Sequence, residues 1–284
     1  MSFFATKNDL ELAKRAMLKE PDLYAVKKIT EQSSVVDLTT PTAATFTLTA
    51  GVISADDEFN STAFQNLFFL DDNNALGRVE VDDTTLSGNT ITFDSTAAVL
   101  VSDESTAPSL TTTNSYQIKL FQASSNTVTF GSGTIPVGLF IGDTSEVNFN
   151  YTNNEAKLKV GIPKKLRAKG TIEVEAMLEF NVAQLTQPDI LGAGFRGSTR
   201  GSQTSQVQYH FGFEPQTANQ YMIQAVSEDQ SGRAFFIEFF LTELIVSSYG
   251  LGGEDYKQMG VQAELLSDSF RPDNFDMMRV ISLN

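Results

Sequence analysis

Several stretches in the second half of the chain alternate apolar and polar residues with a period of two. In residues 171–182, TIEVEAMLEFNV, the apolar positions run from Ile172 to Val182, and glutamates fall between them. Residues 145–152, 206–213 and 258–265 repeat this alternation. Successive side chains of a β-strand point to opposite faces, so these segments predict strands with one buried and one polar face. This pattern is typical of antiparallel sheets.

Residues 233–246, RAFFIEFFLTELIV, break the alternation, because both faces of a strand would be apolar. The Phe, Ile and Val content favours a strand over the alternative of a buried helix. A two-sided strand needs cover on both faces, from another layer of the same chain or from a neighbouring subunit. The second possibility predicts a subunit interface formed by Phe236, Phe240 and Leu244.

The first 30 residues predict a helical N-terminal arm. Asn8 is a suitable N-cap, Glu11 completes a capping box, and Pro21 ends the helix predicted over residues 8–20. A helix of about three turns needs docking to persist. Two interpretations stay open, in which the helix packs on its own domain or reaches a neighbour.

Residues 31–125 have a different composition from the rest. They are rich in Thr, Ser and Asp, and Arg78 and Lys119 are their only basic residues. Short β-like pieces are separated by turn signals, such as SGNT at residues 87–90. We expect a small acidic β-barrel or sandwich, inserted as an accessory domain, and a larger β-domain over residues 126–284.

Charge and composition exclude several classes of function. The chain has 284 residues, a formal net charge of −15 and no cysteine. Such an acidic surface repels phosphates, which disfavours tight binding to nucleic acid, and the missing thiols exclude disulfides and thiolate metal sites. No secretory signal and no run of about 20 apolar residues is visible, so we expect a protein made in the cytoplasm without a membrane partner.

Candidate catalytic and cofactor motifs lack the context that their chemistry requires. GAGFRG at residues 192–197 has the spacing of a dinucleotide-binding loop, but a polar loop follows it where a helix is needed. His210 is the only histidine, which leaves little material for a catalytic triad or a metal site. We expect no catalytic residue, cofactor or metal, and no enzyme. A polysaccharide-cleaving enzyme using paired acids such as Asp71 and Asp83 is the alternative.

A basic cluster stands out in this acidic chain. Six basic residues fall within 13 positions: Lys157, Lys159, Lys164, Lys165, Arg167 and Lys169. They lie between two predicted strands, which indicates a long hairpin over residues 153–170. The hairpin is either a solvated loop or a positive projection that docks on the acidic surface of the next copy.

The order of these features resembles phage major tail tube proteins. Residues 138–185, GLFIGDTSEVNFNYTNNEAKLKVGIPKKLRAKGTIEVEAMLEFNVAQL, are similar to their front half. There a glycine turn, a strand, a long hairpin and an acidic returning strand follow one another. Residues 232–269, GRAFFIEFFLTELIVSSYGLGGEDYKQMGVQAELLSDS, are similar to their end. The acidic segment 31–125 departs from the minimal pattern.

The resemblance implies an all-β subunit, an antiparallel β-sandwich with a short N-terminal helix. Copies would form rings, usually hexameric, that stack head-to-tail through the hairpin into a tail tube in the virion. Other tail proteins, such as the tape measure and the tail terminator, would be partners, and genome DNA would pass through the lumen without specific binding. Candidate lumen residues, on one strand face, are Glu173, Glu175 and Glu179, with an outward solvated face as the alternative. A decoration protein of the tail or capsid that binds a host surface is the alternative function.

Overall fold

A computed structural model of the chain describes residues 20–40, 43–49, 63–64, 66–71, 78–81, 84–87, 89–93, 98–100, 115–121, 126–130, 133–160, 165–183, 198–203, 206–210, 219–228, 234–249, 258–271 and 276–283. These residues contain β-strands and no helix. The strands are β1 Asp22–Thr40, β2 Ala43–Thr47, β3 Ala63–Phe64, β4 Asn66–Asp71, β5 Arg78–Val81, β6 Thr84–Ser87, β7 Thr90–Phe93, β8 Ala98–Leu100, β9 Ser115–Phe121, β10 Thr127–Phe130, β11 Gly133–Pro136, β12 Leu139–Phe140, β13 Thr144–Val160, β14 Lys165–Val182, β15 Ser198–Gln203, β16 Gln206–His210, β17 Gln220–Glu228, β18 Ala234–Tyr249, β19 Met259–Leu265 and β20 Met278–Leu283.

The main sheet is antiparallel and follows the order β13-β14-β19-β18-β17-β1. It curls, because the rings of Phe149 on β13 and Phe239 on β18 lie 5.6 Å apart although two strands separate them in the sheet. The two ends of this order also meet, since Thr144 Oγ1 donates a hydrogen bond to the Pro21 carbonyl over 3.0 Å. This many-stranded antiparallel architecture is consistent with a β-sandwich.

The period-two alternation correctly predicts which face of the main strands is buried. Leu178 and Phe180 on β14 and Val261 and Ala263 on β19 are buried in one cluster with residues of β1, β17 and β18. The register pairs Leu178 with Ala263 and Phe180 with Val261, so neighbouring strands turn their apolar side chains to the same side. This cluster is the main hydrophobic core.

β18 is the two-sided apolar strand, and the chain itself covers both of its faces. Phe236, Phe240 and Leu244 are 2%, 0% and 1% exposed in the single chain. Leu244 packs in the main core, whereas Phe236 packs with Val137 and Val226 in a separate cluster. The assignment of these three side chains to a subunit interface is therefore corrected: a side chain sealed inside its own fold has no surface left for a neighbour.

The polar residues that interrupt β18 have partners within the fold. Glu238 accepts hydrogen bonds from Gln224 Nε2, over 3.1 Å, and from Arg279 Nε. Thr242 Oγ1 donates to the Tyr221 carbonyl over 3.0 Å. Unpaired buried polar groups are costly, so these bonds allow a carboxylate to lie in an otherwise apolar strand.

The strands between residues 43 and 121 pair with each other and with β1, and not with any described strand after residue 126. β1 joins the two parts. Its residues 22–27 pair with β17 in the main sheet, whereas residues 28–35 pair with β9. Residues 22–30, which the sequence placed in the N-terminal arm, are thus part of a strand. The helix predicted over residues 8–20 lies almost wholly outside the described residues, which begin at Glu20.

Candidate functional site

The predicted long hairpin is present as β13 and β14. The two strands pair from Thr144 opposite Val182 to Val160 opposite Lys165. Beyond Met177, the described part of β14 pairs with β13 alone, because its pairing with β19 ends there. With a rise of about 3.3 Å per residue, a two-stranded ribbon runs roughly 30 Å past the sheet. The hairpin therefore projects from the main sheet, as the sequence predicted.

The basic residues lie in the outer part of this ribbon. Five of the six are in its strands: Lys157, Lys159, Lys165, Arg167 and Lys169. Lys164 lies outside the described residues. The register places Lys157 directly opposite Lys169. Like charges in opposed positions destabilise a strand pair. The rest of the chain is acidic, so this end of the hairpin is a local cluster of positive charge in a negatively charged protein.

A β-bulge interrupts β13 at the base of the hairpin. The register shifts between Ser145 and Asn148, and Glu146 adopts a φ of 55°, in the left-handed region. Two side-chain contacts hold this bulge: Asn148 Nδ2 donates to the Glu146 carbonyl over 2.9 Å, and Asn181 Nδ2 donates to Glu146 Oε2 over 2.8 Å. Bulges bend a strand and increase its twist, so this one sets the direction in which the ribbon leaves the sheet.

Glu175 and Glu179 lie on the face of β14 opposite the main core, as the alternation predicted. Glu175 is exposed. Glu179 accepts a hydrogen bond from Asn150 Nδ2 over 2.6 Å and another from Gln262 Nε2 over 2.7 Å. These bonds connect β13, β14 and β19 across an acidic polar surface. The backbone of Glu173 continues the same strand, but its side chain lies outside the described residues.

The apolar face of the hairpin base is open to solvent. The alternation predicts that Phe149, Tyr151 and Val174 are buried, but they are 37%, 53% and 45% exposed. The prediction is wrong for Tyr151 and Val174 because they lie beyond the point where β19 stops pairing with β14. It is wrong for Phe149, opposite the buried Leu178, because β13 ends the strand order and pairs with β14 alone among the described strands. Together with residues around β19 and β20 they line an open groove of about 570 Å³, which we call the hairpin groove: Phe149, Tyr151, Val174, Ala176, Leu265, Leu266, Ser267, Asp276, Met277 and Met278.

A buried charge cluster, which sequence reasoning missed, links β9 to the segment after β19. The Lys119 ammonium pairs with Asp268, and Arg271 Nε lies 3.5 Å from the other oxygen of that carboxylate. All three side chains are buried. Burial lowers the pKa of Lys119 to about 8, and the Asp268 carboxylate opposes this shift. The one available signal was the position of Lys119, in the middle of the apolar strand YQIKLF.

Aromatic rings complete the surroundings of this cluster. The Arg271 guanidinium carbon lies 3.5 Å from the centroid of the Phe240 ring, and Lys119 Nζ lies 4.7 Å from that of Phe270. Cations over aromatic faces are stabilised, most of all when they are desolvated. Arg271 thus covers the Phe240 ring of β18.

The other candidate motifs do not assemble into a site in the described part of the chain. GAGFRG lies outside it, and His210 ends β16 with its side chain undescribed. The paired acids are Asp56, Asp57, Glu58, Asp71, Asp72, Asp82 and Asp83; of these the structure describes Asp71 alone, at the end of β4. Among the described residues, no group of three or more His, Asp or Glu could hold a metal ion, and no helix could cross a membrane.

The sequence matches no protein-family model and no curated protein.

Proposed function

We propose that this chain is a structural protein that assembles with copies of itself. In particular, it would be the subunit of a phage tail tube, polymerising into stacked rings through whose lumen the genome is ejected. The proposal combines the resemblance of residues 137–268 to tail tube proteins with the charge and shape of the hairpin.

The observation that carries the proposal is the projecting ribbon. A two-stranded extension of roughly 30 Å that pairs with no third described strand gains little from its own fold. It also carries six of the 20 basic residues of a chain that has 35 acidic ones. A positive projection on a negative body is complementary to another copy of the same chain.

The expected contact joins two different surfaces, the hairpin of one subunit and the acidic body of the next. Heterologous contacts of this kind repeat without closing into a dimer, so they produce stacks or filaments. Charge complementarity chiefly sets association rate and register. The like-charged pair formed by Lys157 and Lys169 would be relieved by carboxylates of the partner.

The lumen assignment is part of the proposal. A bore lined by Glu173, Glu175 and Glu179 would repel DNA phosphates and let the duplex slide. Tubes carrying lysine at all three positions should then retain duplex DNA, whereas tubes of the natural sequence should not. Equal release of DNA by both kinds of tube would remove this assignment and leave the stacking proposal standing.

Negative-stain electron microscopy of the purified protein tests the assembly. We expect rings or tubes at high protein concentration. The variant with Lys164→Glu, Lys165→Glu and Lys169→Glu should remain unstacked, because its hairpin tip is repelled by an acidic neighbour. The control replaces the same three lysines with arginine, which keeps the charge, and should still form tubes.

A monomer that forms no polymer at any salt concentration would contradict the proposal. Normal tubes from the triple glutamate variant would contradict the role of the hairpin.

The separate pairing of the strands between residues 43 and 121 favours one second candidate, a decoration protein that binds a host surface. A β-module attached mainly through β1 and the Lys119 cluster could present such a binding face. The decoration function would be supported if the full chain binds to host cells and if this binding is lost when residues 43–114 are replaced by a short linker. A chain that forms tubes and binds no cell would favour the tube alone.

A further inference from the structure

The hairpin groove gathers most of the large hydrophobic side chains that are exposed among those described. Four large hydrophobic side chains are exposed among those described, and Phe149, Tyr151 and Val174 are three of them. The groove is continuous with the main core, because the Phe149 ring contacts Phe239. Apolar side chains that lie side by side on an open face gain free energy when another segment covers them.

The chain before β1 leads towards this groove. Pro21 is held beside Thr144 by a hydrogen bond of 3.0 Å, and Glu20 Oε1 accepts a hydrogen bond of 3.0 Å from the Val147 amide. From Pro21 to Glu20 the chain thus stays beside the start of β13, and the Glu20 side chain reaches along this strand to residue 147. Phe149 is the next residue on the same face of β13, and Tyr151 follows at about 13 Å from Val147.

The sequence before Glu20 has the composition that such a groove would accept. Over the predicted helix, Leu10, Leu12, Ala13, Ala16 and Met17 fall within one apolar stripe of a 3.6-residue period. Nine residues of helix span about 13 Å, which matches the distance from the Glu20 contact at Val147 to Tyr151. Residues 1–19 also carry four basic and two acidic side chains, and the groove includes Asp276.

From these observations we propose that residues 1–19 of the same chain bind in the hairpin groove through the apolar stripe of the predicted helix. The occupant is the subunit's own N-terminal segment, because its anchor on β13 is adjacent to the groove and gives it a high effective concentration there. The segment then covers Phe149 and Tyr151 and supports the base of the projecting hairpin.

Because the chain has no cysteine, engineered pairs give an unambiguous cross-linking test. Three double variants each contain Tyr151→Cys together with Leu10→Cys, Ala13→Cys or Met17→Cys. Each protein is oxidised under mild conditions at low concentration, so that disulfides form within one chain. We expect at least one of these pairs to form an intrachain disulfide about ten-fold faster than its control. The control combines the same N-terminal cysteine with Thr129→Cys in place of Tyr151→Cys. Thr129 is exposed and lies on β10, which packs near Phe236 and away from the groove.

A second readout uses the single variant Tyr151→Cys. Its thiol should react with a maleimide several-fold faster after deletion of residues 2–18, whereas the single variant Thr129→Cys should react equally with and without that segment. Cross-links that double the mass would assign the groove to a second copy and overturn the proposal. Slow closure of all three pairs together with unchanged labelling would overturn it as well. Both readouts are taken on the isolated monomer, so they are independent of tube formation.

Discussion

β18 and the outer half of β14 both carry large apolar residues, but those of β18 are buried and Val174 on β14 is exposed. In β18, Phe236 and Phe240 are sealed on a strand that has neighbours on both sides and a packed layer on both faces. In β14, Phe180 is buried where β19 lies alongside, and Val174 is 45% exposed a few residues further on. Burial is therefore decided by what lies across from a strand, and apolar content alone does not indicate an interface.

The comparison changes where contacts between subunits are expected. The most apolar segment of the chain is occupied with its own fold, and the assembly that we propose uses the less apolar hairpin instead. In our two proposals, the charged end of the hairpin contacts a neighbouring copy and its apolar base binds the N-terminal segment. The following changes test this division between the two regions, from the largest expected effect on stability to the smallest.

The largest effect is expected for Phe240→Ala. It leaves a cavity in the interior and removes the ring over which Arg271 lies, so we expect the free energy of unfolding to fall by about 4 kcal/mol. Tyr151→Ala, made in the chain that lacks residues 2–18 so that no N-terminal segment covers the groove, should cost about 0.5 kcal/mol. Urea denaturation of both variants measures the contrast, and equal losses would show that the two regions do not differ as described.

The next effect is expected for Asp268→Asn. The change removes the carboxylate that Lys119 and Arg271 share in the interior, and we expect a loss of about 3 kcal/mol. Glu175→Gln, which neutralises an exposed carboxylate on β14, serves as the control and should leave the unfolding midpoint unchanged. A mild effect of Asp268→Asn, similar to that of the control, would mean that water reaches the cluster.

Stability should also depend on pH through Lys119. Its pKa is lowered from 10.5 to about 8 in the fold, so between these values the unfolded chain binds more protons than the folded one. The free energy of unfolding therefore rises as the pH increases, by about 2 kcal/mol between pH 8 and pH 10 from this group alone. Urea titrations at both pH values, on the natural chain and on Lys119→Met, isolate the contribution. The same pH dependence in both proteins would refute the assignment.

The smallest effect is expected at the hairpin tip. Lys169→Glu turns the opposed pair with Lys157 into one of opposite charge, which should stabilise the ribbon locally by about 0.5 kcal/mol. Slower hydrogen exchange of the hairpin amides, with an unchanged global unfolding midpoint, is the expected result. Lys169→Arg keeps the like-charged pair and is the matched control. Faster exchange in Lys169→Glu would contradict the register.

The sequence predicted where the basic hairpin lies, but it predicted only some of the contacts around it. Positive charge between two alternating segments was enough to locate the hairpin, and the alternation placed Glu175 and Glu179 on the polar face. The cluster of Lys119, Asp268 and Arg271 could not be foreseen, because 149 positions separate the first two of these residues along the chain. Hydrophobic patterning reports which face of a strand is apolar, and it carries no information about contacts over such separations.

For this protein, the sequence by itself determined the strand character of the segments, the faces of β14 and β19 that point inward, and the projecting basic hairpin. Local periodicity and turn chemistry encode these features. Only the tertiary structure decided that both faces of β18 are covered from within the chain, and that Phe149, Tyr151 and Val174 are left open. The reason is that cover depends on which distant strands arrive beside a residue, and the curl of the sheet sets that arrangement.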